Sequence, residues 1–142
     1  MPILYYWRRD NYLRDIAHRY DYNLNQANPT LHDIEIGESL WAFTRNRYNS
    51  YALAAELVIS SKTRNPDDYI YGSYRVWGDP QRSRYFTIDN QEDITNLIRS
   101  LRIRSGRGVL GRGFQGRAAV RRIAKSDHQL LADHSRILLV NG

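Results

Sequence analysis

The sequence has 142 residues, enough for one domain with a hydrophobic core, and its 12% aromatic content excludes wholesale disorder. It has no cysteine, which excludes disulfides and thiolate metal sites. It has no run of about eighteen apolar residues, so the sequence predicts no membrane-spanning helix. The N-terminus lacks the pattern of a signal peptide, so we expect a cytoplasmic protein. The formal net charge is +6, which favours an anionic partner.

The first half of the chain is organised around a predicted hairpin. In chain order the pattern predicts a strand, a helix, a loop and the two hairpin strands, at residues 3–7, 10–19, 20–33, 39–44 and 51–60. Two asparagines lie between the hairpin strands, and asparagine tolerates the left-handed conformation that such turns need. The second hairpin strand is apolar on both faces except at Glu56, which indicates a strand covered on both sides. Leu53, Leu57 and Ile59 share one face of it, and we expect them inside the fold.

The second half of the chain predicts two more strands and three helices. The strands are expected at residues 71–78 and 83–88, and the helices at residues 91–101, 118–124 and 126–138. We find no internal repeat, so a single domain is expected over residues 1–142, with its core over about residues 3–120. The element order indicates an α+β fold in which antiparallel strands curl into a small barrel with flanking helices.

Positive charge is concentrated near the C-terminus. Residues 1–98 hold 11 lysines and arginines against 13 acidic residues, whereas residues 99–125 hold eight arginines and one lysine without an acid. Guanidinium groups form bidentate contacts with phosphate and guanine, so this segment favours a nucleic-acid partner; the alternative is an arginine-rich solvated face. Its glycine–arginine run at residues 104–117 has backbone that can approach phosphates closely. The candidate phosphate-binding residues are Arg82, Arg84, Arg102, Arg104, Arg107, Arg112 and Arg117.

Several motifs occur in an order that resembles a known superfamily. A strand ends in Tyr6-Trp7 and passes at once into a helix, a glycine turn opens the strand at residues 37–41, and a long apolar strand follows at residues 54–58. These features resemble the PUA-like superfamily, particularly its EVE and YTH-like branches. Residues 71–86 and 110–116 look like parts of the DNA-reading domains associated with bacterial HNH endonucleases. The resemblance implies a reader that draws one modified base out of the helix into an aromatic pocket.

For individual residues, the resemblance implies an aromatic cage with polar groups at its rim. Trp7 and Trp77 each stand where a predicted strand runs into a loop, so we expect them to face each other across the base. Asp79 is a candidate acceptor for an exocyclic amine of the base, and its alternative role is to stabilise the turn at Pro80. The expected pocket residues are Trp7, Arg8, Asn11, Trp41, Phe43, Thr44, Asn46, Trp77, Asp79, Ser83 and Tyr85.

Catalytic signals in the sequence are weak. The four histidines lack metal-binding spacing, and no nucleophile motif is present. Asp67-Asp68 with Glu56 and Lys62 has the residue types of a metal-dependent nuclease, but the glutamate and lysine do not flank one strand residue. We therefore expect no catalytic residue, metal or cofactor.

The predicted function is a DNA-binding module that reads a modified base, in restriction or phage defence. A nuclease on a separate chain is a candidate partner, and no membrane partner is expected. The alternatives are an RNA-binding module of the same fold and a small metal-dependent nuclease.

Overall fold

The computed structural model describes residues 1–102 and 119–141. Within them, the strands are β1 (Ile3–Tyr6), β2 (Asn23–Gln26), β3 (Ser39–Arg45), β4 (Tyr51–Arg64), β5 (Tyr74–Gly78), β6 (Arg84–Tyr85) and β7 (Val120–Arg122). The α-helices are α1 (Arg9–Asp15), α2 (Thr95–Ser100) and α3 (Lys125–Ser135), and 3₁₀ helices occupy Ile16–Asp21 and Pro29–Asp33.

The strands form one sheet in the order β2-β5-β4-β3-β1-β7, with β6 paired to β4. The sheet curls into a half-barrel, which confirms the α+β class and the curled sheet. One pair departs from the predicted antiparallel arrangement, because β1 and β3 run parallel. The connection between them passes through α1, β2 and both 3₁₀ helices, and parallel neighbours need such a long crossover.

The predicted hairpin of β3 and β4 is present, but a bulge changes which residues share a face. Ala42 lies opposite Ala55, whereas Phe43 lies opposite Leu53, so Ala54 is an extra residue in β4. An extra residue inverts the alternation of side chains along a strand. Leu53 therefore packs with Phe43, on the opposite face from Leu57, and the expectation that both share one face is wrong.

Buried side chains cover both faces of the sheet. Along β1, Ile3 and Tyr5 belong to one apolar cluster together with Trp7, while Leu4 belongs to a second cluster with Trp41. The first cluster lies against α1 and β2, and the second contains residues of α2 and α3. The first half of β4 is buried on both faces, as the sequence predicts.

A strand and a 3₁₀ helix occupy much of residues 20–33, which the sequence predicts as loop. β2 pairs antiparallel with β5 at one edge of the sheet. Tyr22 and Leu24 are buried, whereas Asn23 and Asn25 alternate with them and are half-buried. This period of two is a strand signal, but it covers too few residues to outweigh the asparagine content.

The helices also differ from the predicted bounds. Residues 120–122, inside the helix predicted at residues 118–124, form β7 instead, because they pair antiparallel with β1. α2 begins at Thr95 instead of residue 91, because Gln91 bonds to β4: its Nε2 donates to the Leu53 carbonyl at 2.7 Å, and its Oε1 accepts from the Leu53 N–H at 2.9 Å. The strand predicted at residues 83–88 shortens to β6.

Candidate nucleic-acid interface

The structure does not bring the two tryptophans of the predicted cage together. Trp7 is 1% exposed, and its ring centroid lies 5.1 Å from that of Tyr12 and 4.8 Å from that of Tyr22. Val76 belongs to the same cluster as Trp7, so the next residue, Trp77, lies on the opposite face of the sheet. Its indole Nε1 donates to Thr63 Oγ1 at 3.0 Å. No base can therefore lie between these rings.

Most other predicted pocket residues serve the fold. Trp41, Phe43 and Thr44 are completely buried, and Nε1 of Trp41 donates to Nδ1 of His128 at 2.9 Å. The amide oxygen of Asn46 accepts the backbone N–H groups of residues 48 and 50, each at 3.0 Å, which fixes the hairpin turn. Tyr85 is 7% exposed and donates its hydroxyl to the backbone carbonyl of residue 19.

Asp79 and Ser83 stabilise the turn at Pro80, which is the alternative role expected of Asp79 from the sequence. Oδ1 of Asp79 accepts from the backbone N–H of Gln81 at 2.9 Å and of Arg82 at 3.3 Å. Oγ of Ser83 accepts from the backbone N–H of Val58 at 3.0 Å. Asp79 and Ser83 thus hold the turn against β4 instead of facing a ligand.

Arg84 is occupied by an ion pair inside the fold. Its Nη2 lies 2.7 Å from Oε1 of Glu56, and the same nitrogen donates to Oγ of Ser135 at 2.9 Å. The other carboxylate oxygen of Glu56 accepts the hydroxyl of Ser39. This network joins β3, β4, β6 and α3, so both Arg84 and Glu56 have structural roles.

The other arginines of the predicted site are either exposed, ion-paired at the surface or outside the described residues. Arg82 and Arg102 are exposed. Arg8 is exposed and pairs with Asp10 at 3.0 Å. The others lie outside the described residues: Arg104, Arg107, Arg112 and Arg117.

Asn11 lies in a groove between α1 and the edge strand β2. This base groove has a volume of about 580 Å³. One wall contains Asn11, Arg14 and Asp15 from α1, and the other is the whole of β2. The floor is formed by Tyr5 and Tyr22, and the rim by Tyr69 and Tyr71.

Gly72 holds the tyrosine rim against β2. Its φ is 104°, which a glycine adopts without strain, and a Cβ at this position would overlap the backbone of Gln26 and Ala27. The backbone N–H of Gly72 donates to the Tyr69 carbonyl at 3.0 Å. The rings of Tyr69 and Tyr71 meet edge to face with centroids 5.7 Å apart, and Tyr71 is 57% exposed.

Amide side chains crosslink the wall formed by β2. Oδ1 of Asn25 accepts from Nδ2 of Asn65 at 2.8 Å and from Nε of Arg75 at 2.7 Å. Nδ2 of Asn25 donates to Oδ1 of Asn23 at 3.1 Å. The side-chain amide of Asn11, across the groove, has no hydrogen bond to any described residue. The groove thus combines a fixed amide network with one amide that is available to a ligand.

Burial makes the two floor phenols harder to ionise. Desolvation raises the pKa of Tyr5 and of Tyr22 above the ordinary tyrosine value, and the charge of Asp15 raises both further. Asp15 itself accepts from Nε of Arg14 at 2.9 Å. The groove thus presents phenol and amide groups together with the paired Asp15 carboxylate and Arg14 guanidinium, and such groups can match the donor and acceptor pattern of a base edge.

A scan against protein-family models gave no match for this sequence, and neither did a search of curated proteins.

Across the described ranges, no three histidine, aspartate or glutamate side chains are grouped as a metal site would require. No helix in the same residues is long and apolar enough to span a membrane. Two of the candidate nuclease residues make hydrogen bonds within the fold. Glu56 accepts from Arg84, and Lys62 donates to the backbone carbonyl of His32.

The sequence contained a signal for part of this groove. Asn11 is one of the pocket residues that the sequence predicts. The sequence does not predict the rim tyrosines, Tyr69 and Tyr71. It predicts residues 71–78 as one strand, whereas the structure has a turn at Gly72. The order asparagine, leucine, asparagine in residues 23–25 was the available sign of an edge strand with a polar face.

Proposed function

We propose that this chain is a PUA-like module that binds DNA and holds one extruded, modified base in the base groove. The observation that carries the proposal is the pairing of an exposed tyrosine rim with an amide-lined wall beside the first helix. Tyr71 offers a ring for stacking, and Asn11 offers a side-chain amide that has no hydrogen bond to a described residue. A role in restriction or phage defence, with a nuclease on a separate chain, is part of the same proposal.

The energies of extrusion and stacking are comparable. Taking a base out of the stack costs a few kcal/mol, and stacking on an aromatic ring returns about 1–3 kcal/mol per base. Hydrogen bonds from Asn11 and from the floor of the groove add to this return. A modification that weakens base pairing lowers the cost of extrusion, and one that adds a contact in the groove raises the return. Either change therefore favours the extruded state.

Phosphate contacts supply affinity that does not depend on the modification. The basic segment at residues 99–125 is the main candidate source, and the exposed basic residues in its described part are Arg99, Arg102, Arg122 and Lys125. Arg122 lies 3.5 Å from Asp33 in an exposed ion pair, which contributes little to stability and is easily exchanged for a phosphate contact.

Replacing Tyr71 with alanine is expected to lower the ratio of modified to unmodified affinity about tenfold, which corresponds to a stacking energy within about 1–3 kcal/mol. The measurement is the dissociation constant for duplexes with and without one modified cytosine, at fixed salt, together with an RNA of the same sequence. Tyr71 is exposed, so we expect the thermal melt to stay close to wild type.

Tyr48→Ala is the matched control, because Tyr48 is also exposed and lies outside the groove. We expect this variant to keep the wild-type affinity ratio. An unchanged ratio in Tyr71→Ala would count against the base groove. Tighter binding of the RNA than of every duplex would favour the RNA-binding alternative.

A further inference from the structure

A second cleft lies on the other side of α1 from the base groove. It has a volume of about 720 Å³ and is bounded by α1, the β3–β4 turn and residues 87–90. Its rim carries three arginines, which are Arg9, Arg19 and Arg47. We call it the arginine cleft.

The arginine cleft has an excess of positive charge. Among the described residues that line it, the acidic one is Asp89, which accepts the backbone N–H of Arg47 at 2.9 Å and its Nε–H at 3.1 Å. These bonds and the charges of Arg47 and Arg9 lower the pKa of the Asp89 carboxyl, although partial burial opposes this. Asp89 thus engages the backbone and Nε of Arg47, while the terminal nitrogens of Arg47 and the guanidinium of Arg9 have no hydrogen bond to a described residue.

An aromatic ring and an apolar floor accompany this charge. Tyr48, at the tip of the hairpin, is 68% exposed. The turn that presents it is held by Asn46 and by Asn49, whose φ is 63°. The floor consists of Tyr12 and Ile88, which are both nearly buried. A cation, a ring and an apolar surface together fit a nucleotide better than an acidic peptide, which has no flat face to stack.

Only one short helix separates the two sites. Residues 11, 14 and 15 of α1 line the base groove, while residues 9, 12 and 13 line the arginine cleft. An α-helix with its side chains is about 10–12 Å across, so one strand of nucleic acid can contact both sides of α1.

We propose that the arginine cleft binds a nucleotide that flanks the base held in the base groove, with Arg9 and Arg47 on its phosphate and Tyr48 against its base. This inference rests on the proposed function for the position of the strand. Its chemistry is independent of the modification, because phosphate and a ring face are present in every nucleotide. The cleft therefore contributes affinity for single-stranded segments and no preference for a modified base.

The test uses a short unmodified oligothymidine and the full chain, with the dissociation constant measured over a range of salt concentrations. Arg9→Ala and Arg47→Ala should each make the slope of log affinity against log salt shallower by about 0.7. Arg136→Ala is the control, since Arg136 is exposed and ion-paired with Asp133, directly follows α3 and does not line the cleft. Its slope should equal that of the wild type.

Variants of Tyr48 separate stacking from charge. Tyr48→Ala should weaken oligothymidine binding about fivefold or more, and Tyr48→Phe should restore it, because the ring is retained. The proposal is overturned if the wild type does not bind oligothymidine at low salt, or if the Arg9 and Arg47 variants match Arg136→Ala. It is also overturned if a glutamate-rich peptide of equal charge competes as well as the oligonucleotide while Tyr48→Ala has no effect.

The duplex measurements described for the proposed function, made beside the oligothymidine assay, distinguish the two proposals. If the wild type binds modified and plain duplexes equally while the slopes and the Tyr48 variants behave as expected, the base groove is wrong and the arginine cleft stands. If the modified duplex is preferred but the Arg9 and Arg47 slopes are unchanged, the reverse holds.

Discussion

Trp7→Ala is expected to lower the free energy of unfolding by about 3–5 kcal/mol, the cost of removing a large aromatic side chain from a core. The ring is 1% exposed and packs against Tyr12 and Tyr22. Its Nε1–H has no hydrogen-bond partner among the described residues, so the contribution of the ring comes from packing. Denaturant unfolding followed by circular dichroism measures the difference.

Trp77→Ala is the matched control for that experiment. Trp77 is half-buried on the other face of the sheet, with the guanidinium carbon of Arg75 5.4 Å from its ring centroid. We expect this variant to lose on the order of 1 kcal/mol, from the cation–π contact and one surface hydrogen bond. If Trp7→Ala is as stable as the wild type, Trp7 does not belong to the core.

Leu57→Ala is expected to lower the free energy of unfolding by about 2–5 kcal/mol, because it leaves a cavity beneath the sheet. Leu57 is 1% exposed, in the middle of β4. Its Cδ2 would lie 3.4 Å from a Cβ built on Gly78, so Gly78, which has no side chain, cannot fill the space. The measurement is again denaturant unfolding.

Leu139→Ala provides the comparison, since Leu139 is 64% exposed and should change the stability by no more than about 0.5 kcal/mol. Leu53→Ala should be as costly as Leu57→Ala, because Leu53 is also buried, although on the opposite face. Equal stabilities of the Leu57 and Leu139 variants would mean that the central strand is misplaced.

The hairpin could be predicted because its signals are local. A continuous apolar run and a turn with two asparagines lie next to each other in the sequence, and Asn49 adopts the left-handed conformation. β7 could not be predicted in this way, because three residues become a strand only by pairing with β1, more than 100 positions earlier. The bulge at Ala54 has no local signal either, and it moved Leu53 to the other face.

For the site, the sequence indicated the kinds of residue more reliably than their positions. Aromatic rings and amides were expected around a base, and the base groove contains both. Trp7 was misassigned because its burial depends on Tyr12 and Tyr22, which only tertiary packing brings to it. Asn11 lies on the first helix and lines the groove, and the start of that helix could be predicted from the hydrophobic period.

The most direct measurement of base extrusion is the fluorescence of 2-aminopurine placed next to the modified base in a duplex. Its emission is quenched by stacking, and removal of the neighbouring base relieves the quenching. We predict that emission rises when the wild-type protein binds the modified duplex, and rises much less with Tyr71→Ala at equal saturation. Saturating binding of the modified duplex without a rise in emission would show that the base stays in the stack, which would contradict extrusion into the base groove.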